Sequence, residues 1–198
     1  MDTRASKHKE QRVGVFVDGS NMYHSSKALY QTNVNFGKIL EQAVAGRKLL
    51  RAIVYVIKSS TSPEEQAFFD ALGKQGFEVK MKDLQIFSSG AKKGDWDVGI
   101  SIDTITLADR LDTVVLVSGD GDFAPLVTYL RITKGCRVEV MAFNESASQK
   151  LKEVADEFID ISSDKKTFLM PLRPFRGRFN RQSGNSDQPE HQQQQLTH

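Results

Sequence analysis

A chain of 198 residues with 39% hydrophobic and 26% charged side chains can fill one α/β domain with an appendage, and no apolar run nears the roughly 20 residues needed to cross a bilayer. The opening MDTRASKHKEQR lacks the apolar core of a secretory signal and the single Cys136 cannot close an internal disulfide, so the expectation is a cytoplasmic protein with no membrane partner. The net charge of +2 is uneven: from residue 163 onward six Lys and Arg face three Asp and Glu, leaving 21 basic against 22 acidic side chains before it.

Residues 1–11 carry no pattern and are read as a flexible N-terminus. The first strand is expected at 13–17, inside VFVDGSNMYH (15–24), and further β-branched runs follow at 50–57, 77–81, 113–118 and 137–143. Between them lie segments of helical length, at 36–46, 63–75, 97–110, 124–134 and 146–156. Ser62 with Pro63 behind it marks a helix start, Glu64 and Glu65 suit the positive end of the helix dipole, and Gly76 stops the helix. FIDI (158–161) adds a short strand at a sheet edge. Strands alternating with helices predict right-handed crossovers and an α/β fold, a central parallel sheet flanked by helices on both faces.

The domain is read as ending at residue 162. Residues 163–198 lack apolar periodicity and are read as a disordered, basic, Gln-rich tail. In it Arg173, Arg176, Arg178 and Arg181 alternate with Phe175 and Phe179, a mix suited to phosphate contacts and base stacking and equally to a solvated tail.

Ligands of parallel α/β sheets bind outside the carboxyl ends of the strands. Asp18 stands at that edge after the first strand, and Asp120 and Asp122, in LVSGDGDF, stand there after the strand at 113–118. On a helical wheel for 97–110, Asp97, Ser101, Thr104 and Ala108 fall between two apolar patches, one of Val98, Ile102 and Ile105, the other of Ile100, Leu107 and Leu111. Asp103 falls on the polar stripe, as a solvated or supporting acid. Each acid has a bland alternative: Asp122 as a helix N-cap, Asp18 as a turn former, Asp97 as complement to a helix dipole. Together they put acids from three segments at one rim, where they repel one another unless a cation intervenes. Oxygen-only ligands suit Mg²⁺ or Mn²⁺, which polarise phosphoryl oxygens and activate water.

VFVDGSNMYH, then KKGDWDVGISID (92–103), then LVSGDGDFAPLV with KGCRVEVMAF, in this order and spacing, resemble the NYN domain of the LabA-like family, a branch of the PIN-like nucleases. The resemblance covers about residues 12–161. It implies a Rossmann-like PIN fold and metal-dependent hydrolysis of RNA, by an endoribonuclease. By position it makes Asp18, Asp97, Asp120 and Asp122 the metal-site and catalytic acids, Asn21 and Ser118 polar residues that orient them, and Asp103 an acid often found in this helix. Related folds often pair, which adds a homodimer to the expected partners beside an RNA substrate.

No His or Lys stands as a general base, so activation of water is left to the metal. Lys92 and Lys93 precede the acidic helix and are read as phosphate contacts or as surface charge in equal measure. Tyr23 is read as packing rather than as a base-stacking ring, His24 as a cap for the next helix, and Trp96 and Phe123 as core or pocket wall. A haloacid-dehalogenase-type phosphatase would need a second Asp where Ser20 stands, and no GxxxxGK[ST] loop for an NTPase occurs. The non-enzymatic alternative is a regulator that binds RNA or protein with little activity.

Overall fold

In β1 (Arg12–Asp18) every residue from Val13 onward is buried. Alternation explains this: Val13, Val15 and Val17 enter one core and Phe16 the other, so a strand covered on both faces reads as an unbroken apolar run. The computed structural model describes residues 7–59, 62–86, 92–93 and 95–171, with backbone alone for 85–86 and 92–93.

After β1 the chain forms α1 (Gly19–Tyr30), α2 (Phe36–Val44), β2 (Lys48–Lys58), α3 (Pro63–Lys74) and β3 (Glu78–Asp83). The two-residue strands β4 (Gln85–Ile86) and β5 (Lys92–Lys93) pair antiparallel. Then come α4 (Asp97–Ala108), β6 (Thr113–Val117), a 3-10 turn (Gly121–Phe123), α5 (Ala124–Ile132), β7 (Arg137–Ala142), α6 (Gln149–Val154), β8 (Glu157–Asp160) and α7 (Lys165–Phe168). Six strands form one sheet in the order β3-β2-β1-β6-β7-β8, and every neighbouring pair is parallel. Residues of α1, α2, α3 and α7 pack on one face, those of α4, α5 and α6 on the other, as the alternating pattern predicts.

The strand order reverses between β1 and β6. From β1 the chain winds outward through β2 and β3, then crosses back to β6 and winds outward the other way. That reversal opens a crevice at the carboxyl ends of β1 and β6. Asp18 ends one of these strands, and Ser118 follows the other directly.

Several expectations are corrected. No helix is expected from sequence before residue 36, yet α1 begins directly after Asp18, which caps it, and His24 lies within that helix rather than capping one. The packed chain also runs past 162. Phe168 and Leu169 are buried against the core, the Asn35 N–H donates to the Phe168 carbonyl at 2.8 Å, and the Met170 N–H donates to the Asn33 carbonyl at 2.8 Å. At the other end, Lys7 lies within the expected flexible stretch yet pairs with Glu157 at 3.3 Å. On α4 the patch of Ile100, Leu107 and Leu111 turns inward, whereas Val98 and Ile102 are 70% and 59% exposed.

The tight entry to α1 makes a demand on sequence. A Cβ at Gly19 would stand 2.7 Å from the Tyr55 carbonyl oxygen and 3.0 Å from Val56 Cγ1. The first obstacle is backbone of the neighbouring strand, so it cannot swing aside. Gly19→Ala is therefore expected to push α1 off β2 and cost about 1–3 kcal/mol. The measurement is denaturant unfolding, whose midpoint should fall at unchanged slope.

Candidate metal centre

Three carboxylates meet at the crevice. One oxygen each of Asp97, Asp120 and Asp122 lie within 4.8 Å of one another. Asp97 is the first residue of α4, and Asp120 and Asp122 belong to the turn after β6. Asp120 accepts a hydrogen bond from the Asp122 N–H at 2.9 Å and so caps the 3-10 turn, while Asp122 itself caps no helix. Helix capping therefore accounts for Asp120 in part and for Asp122 not at all.

Asp18 sits behind this group, 6% exposed. Its carboxylate accepts the Asn21 N–H at 2.9 Å and the Ser118 hydroxyl at 3.4 Å. Ser118 Oγ in turn accepts the Asp120 N–H at 3.2 Å, so one hydroxyl links the two acids. Asn21 holds the crevice together from the other side: its side-chain oxygen accepts the Gly119 N–H at 3.0 Å. Asp18 and Asp120 thus share a rim, joined by short polar links, while Asp18 lies outside the closely spaced trio.

Electrostatics mark the same place. Burial pushes the Asp18 carboxyl up to about 6, with the charges of Asp97 and Asp120 adding to it and the Asn21 and Ser118 bonds opposing it. Burial also raises Asp97, reinforced by Asp120, Asp95 and Asp122. Elsewhere the molecule compensates a buried acid thoroughly: Glu139 receives both guanidinium nitrogens of Arg47 at 2.8 Å, with Arg137 at 3.1 Å and Lys7 at 3.5 Å. Among the described residues no Lys, Arg or His forms an ion pair with Asp97, Asp120 or Asp122. Oxygen ligands short of positive charge fit a hard divalent cation.

Asp103 is not brought to this centre. Its carboxylate accepts the Tyr55 hydroxyl at 2.7 Å and the Lys80 ammonium at 2.6 Å, so it is paired rather than solvated. Lys92 and Lys93 are placed by backbone alone and their side chains lie outside the described residues, as do Arg173, Arg176, Arg178 and Arg181 entirely. Phe123 is buried core. Trp96 is a wall: its indole N–H donates to the Val56 carbonyl at 2.9 Å, and Gly99 makes room for its ring, since a Cβ there would stand 2.6 Å from it.

One cation escaped the sequence reading. Lys82 lies over the Trp96 ring, 5.4 Å from its centroid, and its ammonium donates to the Asp95 carbonyl at 2.9 Å. It brings positive charge to the start of α4 from a strand distant in sequence. Only its place in an alternating edge strand could have signalled this.

A model of the NYN domain family matches residues 12–163. The low amplitude and bright protein LabA of Synechococcus elongatus is 28% identical over 171 residues, covering 81% of this chain and 89% of that protein. An uncharacterized protein of Methanocaldococcus jannaschii is 26% identical over 164 residues, and the match spans 81% of this chain and 60% of that longer protein. Among solved structures, a protein of unknown function from Vibrio parahaemolyticus superposes with a TM-score of 0.75 at 33% identity, covering 83% of this chain and 99% of that one.

Proposed function

The chain belongs to the NYN domain family, in its LabA-like branch, and from that premise we propose that it is a metal-dependent ribonuclease hydrolysing RNA phosphodiester bonds internally. The observation that carries the reading is the gathering of Asp97, Asp120 and Asp122 at the sheet's reversal point without a compensating cation among the described residues.

These three acids would hold Mg²⁺ or Mn²⁺. A bound ion of this kind supplies polarisation of a phosphoryl oxygen and activation of water. The chain's own residues prepare the site. Asp120 is fixed by its bond from the Asp122 N–H, which spares one carboxylate oxygen. Ser118 and Asn21 lock the turn after β6 against the start of α1, so the acids are held before any ligand arrives. Asp18 adds a buried negative charge behind them, and Lys82 offers a cation to a phosphate at the edge. Asp122 is exposed, which leaves the centre open to solvent and to an extended strand.

The test is cleavage of end-labelled single-stranded RNA in Mn²⁺, in Mg²⁺ and in EDTA. Internal fragments in either metal and none in EDTA are expected; intact RNA throughout overturns the reading.

The arginines at 173, 176, 178 and 181 are proposed to add phosphate contacts and to raise affinity without sequence preference. Truncation must follow residue 171, because a cut before 168 removes the buried Phe168 and Leu169 and a cut before 170 removes the bonds of Met170 to Asn33 and Thr32. Removing residues 172–198 should then weaken RNA binding and flatten the log–log salt slope by up to about 3, the share of four phosphate contacts on a single strand. An unchanged slope would remove these arginines from the interface.

A further inference from the structure

Beside the acidic rim lies a cavity of about 670 Å³, within the range of small-ligand sites. Its walls include Tyr23, His24, Val56, Phe68, Phe69 and Leu84, from α1, α3 and the ends of β2 and β3. Two connections tie it to the acids. Gly19 and Ser20 line it and directly follow Asp18. Val56 lines it too, and its carbonyl receives the indole N–H of Trp96, the residue before Asp97. A chain of nucleotides with one phosphate at the acids has this cavity as its neighbour.

The lining suits a flat aromatic guest. Tyr23 is 48% exposed and Phe68 41%, so two rings stand open to stacking without disturbing the core. Both are braced. Tyr23 meets the His24 ring edge-on at 5.4 Å, and Phe68 contacts Phe36 and Phe69 at 5.9 and 5.7 Å. The Lys27 ammonium lies 5.7 Å from the centroid of Tyr23, a cation suited to the phosphate of a stacked nucleotide. Glu65 supplies a polar edge: its carboxylate is held by the Ser59 N–H at 3.0 Å and the Ser59 hydroxyl at 2.8 Å.

We propose that this cavity is a nucleobase pocket, taking the base of one RNA nucleotide next to the phosphate at the acidic rim and stacking it against Tyr23 and Phe68. The identity of the guest rests on the ribonuclease reading; the shape and the open rings do not. Stacking on an aromatic side chain tolerates any base, so the pocket fixes the register of the strand rather than its sequence.

The test uses single-stranded RNA oligonucleotides carrying one 2-aminopurine, moved position by position. Its fluorescence is followed with the wild-type chain in EDTA and with Asp120→Asn in Mn²⁺, and cleavage of the same oligonucleotides by wild type is mapped in Mn²⁺. Quenching on binding is expected at every position that a binding register can bring to the pocket, and Tyr23→Leu should abolish it. Tyr23→Leu should weaken binding by about five- to hundredfold, the value of one stacked base, and Tyr23→Phe should restore it. Phe68→Leu adds a second reading, since Phe68 also packs on Phe36. Quenching that is absent or that persists in Tyr23→Leu, or Tyr23→Leu binding like wild type, overturns the pocket. Cleavage without Tyr23-dependent quenching removes the pocket and leaves the nuclease; Tyr23-dependent quenching without cleavage does the reverse.

Discussion

An Asp120→Asn protein is expected to lose metal-dependent RNA cleavage by about a thousandfold or more, the rate equivalent of several kcal/mol of transition-state charge stabilisation. It should nonetheless fold, and in metal-free buffer it should unfold at or above the wild-type temperature. The substitution keeps the shape of the side chain and its acceptor oxygen, so the bond from the Asp122 N–H and the cap of the 3-10 turn survive. What disappears is one negative charge from a group whose members raise one another's proton affinity, Asp18 and Asp97 among them. Losing that charge relieves repulsion and weakens the hold on a divalent ion together. Asp103→Asn is the control: its carboxylate is engaged by Tyr55 and Lys80, away from the trio, so cleavage should persist. Single-turnover rates and metal-free thermal unfolding on both variants decide the matter. Full activity in Asp120→Asn would remove the trio from the chemistry.

The layers and the rim were legible because periodicity reports burial. A strand buried on both faces has no choice but an unbroken apolar run, and 13–17 and 113–117 show such runs, the first followed at once by Asp18 and the second, after Ser118 and Gly119, by Asp120. α1 was not legible for a physical reason: Asp18, Gly19, Ser20 and Asn21 are all turn formers, and only the bond from the Asn21 N–H to the Asp18 carboxylate makes them the first turn of a helix. A wheel for α4 gives angles only, and which arc meets the sheet is decided by the neighbouring elements: Ile105 packs on the core with Ile100 and Leu107, while Val98 and Ile102 of the same expected patch stay outside. The same limit applies to Asp103, whose partners Tyr55 and Lys80 come from β2 and β3, so its pairing has no local signal. At the C-terminus, one short turn carrying Phe168 and Leu169 is too brief to show a period, although these two side chains close the core.

Metal-free wild-type protein is expected to lose stability as pH rises from about 4 to about 6, and Asp18→Asn to be free of that loss. The sign follows from the direction of the shift. In the unfolded chain Asp18 ionises near the usual value of about 3.9, whereas in the folded chain it ionises at about 6. Between these values the folded state holds a proton that the unfolded state has released, so each step up in pH favours unfolding. Below the window both states are protonated and the contribution is complete; above it both are ionised and the loss is full. A shift of this size corresponds to about 2–3 kcal/mol, and the near-complete burial of the group leaves little solvent to screen it. Asn at position 18 can still accept the Asn21 N–H and cap α1, so the gain at neutral pH should not be offset by a lost cap. Other groups titrate over the same range, and subtracting the variant's stability curve from the wild-type curve isolates this one. A flat difference between about pH 4 and 6 would show that Asp18 is not strained by its surroundings. Added Mn²⁺ should reverse the ranking, because a cation that binds only the folded state stabilises in proportion to its affinity, and removing the charge at Asp18 lowers that affinity. A residue that weakens the empty protein and strengthens the loaded one is kept for the ion rather than for the fold.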